Sequence, residues 1–540
     1  MQRWGLAAAA VAIFGVAAAA SSPAQTGPPR LLGLRISNGG TPFAGDTPWL
    51  TTVSPNGDGF RDRALIRFKL DGAATVEVGV VATSTSSKLA RTIWSTRRTL
   101  AAGAHTIVWR PARTTPDRTY LVRFVVTGAT GGRRVYGFEP PRRGQLTSGL
   151  VVHVQGVEAG FLDRSYPVGS PATVAISTDA PRVRLQLFSF ATVPNPTVHD
   201  LRTGGVAVAP PVQLDWHRRG SAVHYVQISQ AGVTTTGLYF LRVTASDGRV
   251  GYAPLIVRPR RLGAHRVAVV LSTNTWQAYN FRDANGDGWG DSWYVSNATH
   301  SVDLRRPYLD FGVPFRFRDW DLSFISWLNK TGKQVEYLSD DDLERFKSGD
   351  ELARAYDLVI FPGHAEYMTE HGYDVVQRYR DLGGNLMFLS ANNFFWKVQR
   401  KGERLVRVKQ WRALGRPEAA LVGVQYAGSN HGQNQAGFVI TGAATAPWAF
   451  AGTGLGDGDT FGRYGIEIDA RTAESPPETQ LLARIPDILP NAGRSAEMTY
   501  YETPAGAKVC AAGALNFAAS VDQPVVSRLL ENLWARLSLP

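Results

Sequence analysis

The hydrophobic pattern changes character once along the chain, near residue 264. Between about 30 and 145, short runs such as "ALIRFKL", "ATVEVGVVA", "HTIVWR" and "TYLVRFVVTG" are separated by the turn sequences "LDGA", "LAAGA" and "TTPDR". Several alternate in polarity, which puts apolar side chains on one face of a strand, so the spacing predicts a β-sandwich over 30–145. The runs "LVVHVQG", "ATVAIST", "VRLQLFSF", "AVHYVQIS" and "GLYFLRVTASDGRVGYAPLIVRP" predict a second β-sandwich over 150–262, its last two strands joined across "SDGR". After 264 the runs become continuous: "HRVAVVLS", "YDLVIFPG", "GGNLMFLS" and "KVCAAGAL" read as strands buried on both faces. Helical spacing appears between and after them, in "DWDLSFISWLNKTG" and "QPVVSRLLENLWARL". Strands alternating with helices predict an α/β domain over 264–540 with a mostly parallel sheet.

Composition narrows the setting. Residues 1–24 open with Arg3 and an alanine-rich apolar run that ends near "SSPAQTG", the pattern of a secretory signal peptide. The mature chain is therefore expected to be secreted or held in the cell envelope. No later run approaches the roughly 18 apolar residues of a membrane span. Cys510 is the only cysteine, so no intramolecular disulfide can form, and its place between Val509 and Ala511 reads as a buried small apolar residue. The balance of 58 basic against 45 acidic residues gives a net charge of +13. The basic clusters "RPRRLGAHR" and "QRKGERLVRVKQWR" carry no nucleic-acid module, so nucleic acid is not expected as a partner. An arginine-rich surface of this kind suits anionic cell-wall polymers.

Open parallel sheets bind ligands beyond the carboxyl ends of their strands. Here four strand ends carry polar groups: Trp276, Gln277 and Tyr279; His364, Glu366 and Tyr367; Asn392 and Asn393; and Asn516. The layering expected is glutamine-amidotransferase-like or flavodoxin-like, yet Cys510 lies inside its strand rather than on a nucleophile turn. No Gly-x-Ser-x-Gly elbow occurs, and "HAEYMTEH" is not a His-Glu-x-x-His zinc motif. What remains is hard oxygen donors and one imidazole.

Two resemblances sharpen this. "SPNGDGFRDRALIRFKL", "AGAHTIVWR" and "PDRTYLVRFVVTG" resemble the FlgD-type immunoglobulin-like domain over about 48–130, an accessory module that implies no catalysis. "STNTWQAYN", "FPGHAEYMT", "GGNLMFLSANNFFWKV", "YGIEID" and "GAKVCAAGALNFAAS" resemble, over about 265–540, the C-terminal domain of the N,N-dimethylformamidase large (β) subunit family, and the preceding "GLYFLRVTASDGRVGYAPLIVRP" resembles that family's β segment, extending the likeness to about 150–540. That second resemblance implies amide hydrolysis with a mononuclear iron, expected as ferric, held by two tyrosines and a glutamate. The implied ligands are Tyr279, Tyr294 (with Tyr308 in reserve) and Glu366. The implied catalytic residues are His364, Asn392 and Glu467, with Glu502 as a weaker alternative to the last. A small partner subunit accompanies the family's large subunit, and an oligomer is also compatible. The substrate expected is a small-molecule or envelope-derived amide; the competing expectation is a non-catalytic envelope or adhesion protein that keeps the fold without the reaction.

The string Asn-Gly-Asp-Gly occurs twice, at 56–59 and 285–288. The first, with Asn56, Asp58 and Asp62, offers calcium donors, but an Asn-Gly/Asp-Gly turn explains it without a metal. In the second, Asp283, Asn285, Asp287 and Asp291 fall on the first, third, fifth and ninth positions of an EF-hand loop, which makes calcium a candidate. The twelfth position is Tyr294 instead of glutamate, unlike a true EF-hand.

Overall fold

The structure, a computed structural model, describes residues 27–83, 90–137, 149–189, 205–218, 220–294, 299–489 and 493–539. The signal peptide expected over 1–24 lies outside them.

The N-terminal region packs a three-stranded sheet (Leu31–Ser37, Ala64–Leu70, Gly103–Trp109) on a six-stranded one. Along Ala64–Leu70 the residues Ala64, Ile66, Phe68 and Leu70 point inward and the intervening ones outward, as a half-solvated strand requires. Strand Leu150–Val154, grouped by its hydrophobic pattern with the second β region, pairs instead with Leu50–Val53 and Arg118–Gly128 of the first. The next region pairs Glu158–Phe161, Ala172–Ser177 and His224–Ile228 in one sheet, against a sheet centred on Gly237–Ala245. Strand Gly237–Ala245 is buried on both faces. Tyr239, Leu241 and Val243 fill its own sandwich, while Leu238 and Phe240 enter the core of the C-terminal region, where Phe240 meets Phe317 edge-on at 5.5 Å.

The C-terminal region corrects the expectation of an α/β domain with a mostly parallel, flavodoxin-like sheet. Its nine-stranded sheet is mixed. Strands Glu336–Ser339, Val267–Leu271, Leu358–Phe361, Asn385–Phe388 and Lys508–Ala511 are parallel neighbours. Four antiparallel strands then continue it: Arg494–Glu502, Gln480–Leu489, Gln435–Ile440 and Thr460–Gly465. A four-stranded sheet built on the hairpin Trp396–Lys401/Arg404–Gln410 lies beside it. Across the described residues strands account for 41% and helices for 16%, so the chain is predominantly β. The antiparallel half escaped the pattern for a physical reason. Register shifts between Leu481 and Ala483 and between Ile485 and Leu489 interrupt the period of two that marks a strand.

Arg249 fastens the first β region to the second. Its guanidinium donates to Asp179 and Asp247, both at 2.6 Å, and to Ser54 Oγ and the Gln155 carbonyl, both at 2.8 Å. Burial favours loss of its proton, but Asp247 and Asp179 outweigh that and hold it more firmly charged than usual. Arg249→Ala strands the buried Asp179 carboxylate, so the variant is expected to lose about 3 kcal/mol of stability or more, measured by urea unfolding.

Candidate active site

Four carboxyl ends of the parallel strands converge on one cavity, and local chemistry explains each. Strand Val267–Leu271 runs into the short helix Thr273–Ala278, whose first turn is pinned by Asp340: the Thr273 hydroxyl and the Asn274 N–H both donate to that carboxylate. This delivers Tyr279 at the helix end. Strand Leu358–Phe361 leads to His364 and Glu366, after which Tyr367–Thr369 joins the Trp396–Lys401 hairpin. Strand Asn385–Phe388 leads to Asn392, held left-handed at φ 57° while its N–H donates to Asp469 at 2.7 Å. Beyond Lys508–Ala511, Leu515 N–H donates to the carbonyl of Glu467 and so ties that residue to the same edge.

The side chains meet closely. The Tyr279 hydroxyl donates to Glu366 and lies 3.2 Å from His364 Nε2. His364 Nδ1 is 3.0 Å from the Ala391 carbonyl, which can only accept, so Nδ1 carries a hydrogen and Nε2 faces the acids. Nε2 lies 3.4 Å from Glu366 Oε2 and 3.6 Å from Glu467 Oε2. Asn392 Nδ2 donates to Glu467 at 2.8 Å, and its buried Oδ1 has no hydrogen-bond partner among the described residues. Burial favours neutral His364, but the Glu366 hydrogen bond and the Glu467 charge outweigh it and raise its proton affinity. Burial and the Glu366 charge raise Glu467 against the opposing pull of His364. Burial and the same carboxylates hold Tyr279 well above the ordinary phenol range. The cluster therefore retains protons that solvent-exposed groups of the same kinds would release.

The cavity has a volume of about 470 Å³ and is lined by Tyr279, Tyr294, Glu366, Asn392 and Glu467, with His364 buried behind them. Tyr294 sits edge-on to Tyr279, ring centres 5.0 Å apart, and its phenol feels Arg316 and Glu467. Tyr308 lies elsewhere, in a pocket of about 20 Å³ with Arg164 and Gln277, and Glu502 pairs with Arg536 outside the cavity. Sequence reasoning left out Trp320, Arg316 and Arg407, which line the cavity, and gave Tyr367 no role although its phenol also hydrogen-bonds Glu366. Tyr367 was findable as the neighbour of Glu366. Trp320 sits in a π-turn, Arg318–Leu322, within a stretch that reads as plain helix. Of nine non-glycine residues with positive φ among the described residues, four (Arg316, Asn392, His431, Ile466) line this cavity, the clustering of backbone strain common at functional sites.

The loop over 283–291 closes on itself. Asp283 accepts from the N–H groups of Gly286 and Gly288 at 2.8 Å, Asp287 from Trp289 and from Asn285 Nδ2, and Asp291 from Ala284. The expected calcium ligands are thus engaged with the loop's own donors. Among the described residues, no group of three or more His, Cys, Asp or Glu is arranged to hold a metal ion.

The mixed sheet thus brings a phenol, an imidazole and two carboxyl groups together at one edge. The chain belongs to the N,N-dimethylformamidase beta subunit-like, C-terminal family, whose sequence model matches residues 221–528, more than half of the chain. It is similar to the N,N-dimethylformamidase beta subunit of Alcaligenes sp, with 31% identity over 135 residues, 25% of this chain and 17% of that one. It is also similar to the N,N-dimethylformamidase beta subunit of Paracoccus aminophilus, with 30% identity over 193 residues, 34% of this chain and 25% of that one. The matches span a quarter or less of those relatives' own length.

Asp469, which holds Asn392, is pushed up to about 7 by burial, then by Glu418 and Glu467. A carboxyl raised in the folded state favours folding while protonated, and that stability is lost as pH rises from about 4 through about 7. Asp469→Asn keeps the acceptor for Asn392 without the charge. The variant is expected to be more stable than the parent at pH 8 by about 1 kcal/mol or more, with the difference closing only as pH falls to about 4, read by urea unfolding at both values.

Proposed function

We propose that this cavity hydrolyses an amide C–N bond, in a chain exported to the cell envelope or medium. One observation carries the reading: Tyr279, His364, Glu366 and Glu467 bring their polar atoms together beside Asn392 in a single aromatic-walled cavity. His364, behind Glu366 and Glu467, takes a proton from water through these acids and returns it to the departing amine. Glu467, whose proton affinity burial raises, exchanges protons with His364. Asn392 spends one N–H on Glu467 and has a second to offer a developing oxyanion, a contribution worth about 3 kcal/mol in comparable sites.

Iron fits the donor chemistry. The Tyr279 hydroxyl, Glu366 Oε2 and His364 Nε2 lie within 3.4 Å of one another, about the spacing of neighbouring ligands around one small ion. Tyr279 and Glu366 would hold the ion, with Tyr294 and Tyr367 as the neighbouring phenols. Phenolate and carboxylate are hard anionic donors suited to the ferric state. When bound, such an ion supplies Lewis-acid activation of water and of the amide carbonyl. The relatives are named as beta subunits, so we extend the proposal to a partner subunit for this chain.

Three measurements test the reading. Iron-reconstituted protein is expected to show a visible phenolate-to-ferric absorption band that weakens sharply in Tyr279→Phe; a colourless, iron-free product would favour a non-catalytic envelope protein. Amide hydrolysis is expected to fall about 100-fold or more in His364→Gln. In the parent, the acid limb of kcat/KM is expected above pH 6.5, because His364 is raised, and Glu467→Gln should move it to lower pH by removing a neighbouring charge.

A further inference from the structure

The charged groups lining the cavity come from different parts of the chain. Glu366 and Glu467 belong to the cluster around His364. Arg407 comes from the hairpin strand Arg404–Gln410, its guanidinium 5.3 Å from the ring centre of Trp293 and 4.9 Å from that of Trp396. Ring faces on a guanidinium restrict its plane and pre-orient its fork of donors, the arrangement that recognises a carboxylate in two-point fashion. Arg316 lines the same cavity from an exposed position with left-handed backbone, φ 58°, a conformation that costs a non-glycine residue energy. It pairs at 3.2 Å with Asp319, which also lines the cavity and which pairs in turn with Arg318 outside it.

A small neutral dialkylamide engages none of this. At about 470 Å³ the cavity falls in the range that accommodates drug-sized ligands, and Trp293, Trp396, Phe395 and Leu515 supply apolar wall. We propose that the amide received here carries a carboxylate and an apolar or aromatic segment, as an N-acyl aromatic amino acid does. Arg407 and Arg316 bind the carboxylate, and the aromatic wall takes the apolar part. The amide group is left to the His364 cluster. This selectivity rests on the amide-hydrolase reading of the same site, but binding and turnover separate the two.

The test uses the full chain and two probes, N-acetylphenylalanine and its uncharged counterpart N-acetylphenethylamine, titrated by intrinsic tryptophan fluorescence. The anionic amide is expected to bind at least about tenfold more tightly. That ratio should fall about tenfold in Arg407→Gln and be partly restored in Arg407→Lys. Arg316→Gln, at an exposed position where folding is not at stake, should lower the ratio as well. Equal affinities in the parent, or a ratio unchanged in both glutamine variants, overturns the proposal. Selective binding of the anion without hydrolysis of either probe supports the carboxylate site and counts against the hydrolase reading alone.

Discussion

Glu366 is a buried acid at the cavity wall, and its surroundings follow from that constraint. A lone buried anion is costly, so it must be met by donors or share its charge with a cation. The Tyr279 hydroxyl meets it directly and the His364 imidazole lies within 3.4 Å. The demand propagates outward. Tyr279 needs the Thr273–Ala278 helix, which needs Asp340, and His364 needs the Ala391 carbonyl to turn Nε2 inward. Ala391 and Asn392 depend in turn on Asp469, which accepts the N–H of a residue in a left-handed conformation. A chain of buried polar groups thus reaches from one carboxylate to three separate strands.

Much of the site was legible because strand ends are marked twice in sequence, by a continuous apolar run and by the polar residues that stop it. Glu366, His364, Tyr279 and Asn392 all follow such runs. The cavity's cationic side was not legible. Arg407 belongs to a basic stretch that reads as solvated surface, and only the fold places it between Trp293 and Trp396. Trp320 reads as an apolar helix position until the π-turn brings its ring 5.2 Å from that of His364. The architecture was half legible. Runs buried on both faces revealed the parallel strands, whereas bulged strands such as Gln480–Leu489 show neither a continuous run nor a clean alternation. The outcome is a mixed, predominantly β chain where an α/β layering was expected.

The two Asn-Gly-Asp-Gly strings do related mechanical work. In the first, Asn56 donates to Asp247 at 3.2 Å, and the nearby Arg61 donates to the Gly220 carbonyl, so the loop joins the first β region to the second. In the second, side-chain acceptors fold the loop tightly enough to project Trp289. That ring covers Leu121 and Val151 on the outer face of the first region's sheet, and the Thr83 hydroxyl donates to the Gly288 carbonyl beside it. At the base of the same arm, Arg282 makes a paired contact with Glu158 of the second region at 2.6 Å. Arg306 gathers the carbonyls of Gln277, Arg282 and Asp291 with one guanidinium.

Trp289 therefore makes the N-terminal sandwich more than a passive appendage. The arm that it anchors begins at Tyr279 and returns to it, since Ser292 Oγ and Trp293 N–H both donate to the Ala278 carbonyl. A rotation of the first sandwich would therefore be passed through the Trp289 ring into the backbone one residue before the phenol, and parting the two regions would uncover that indole.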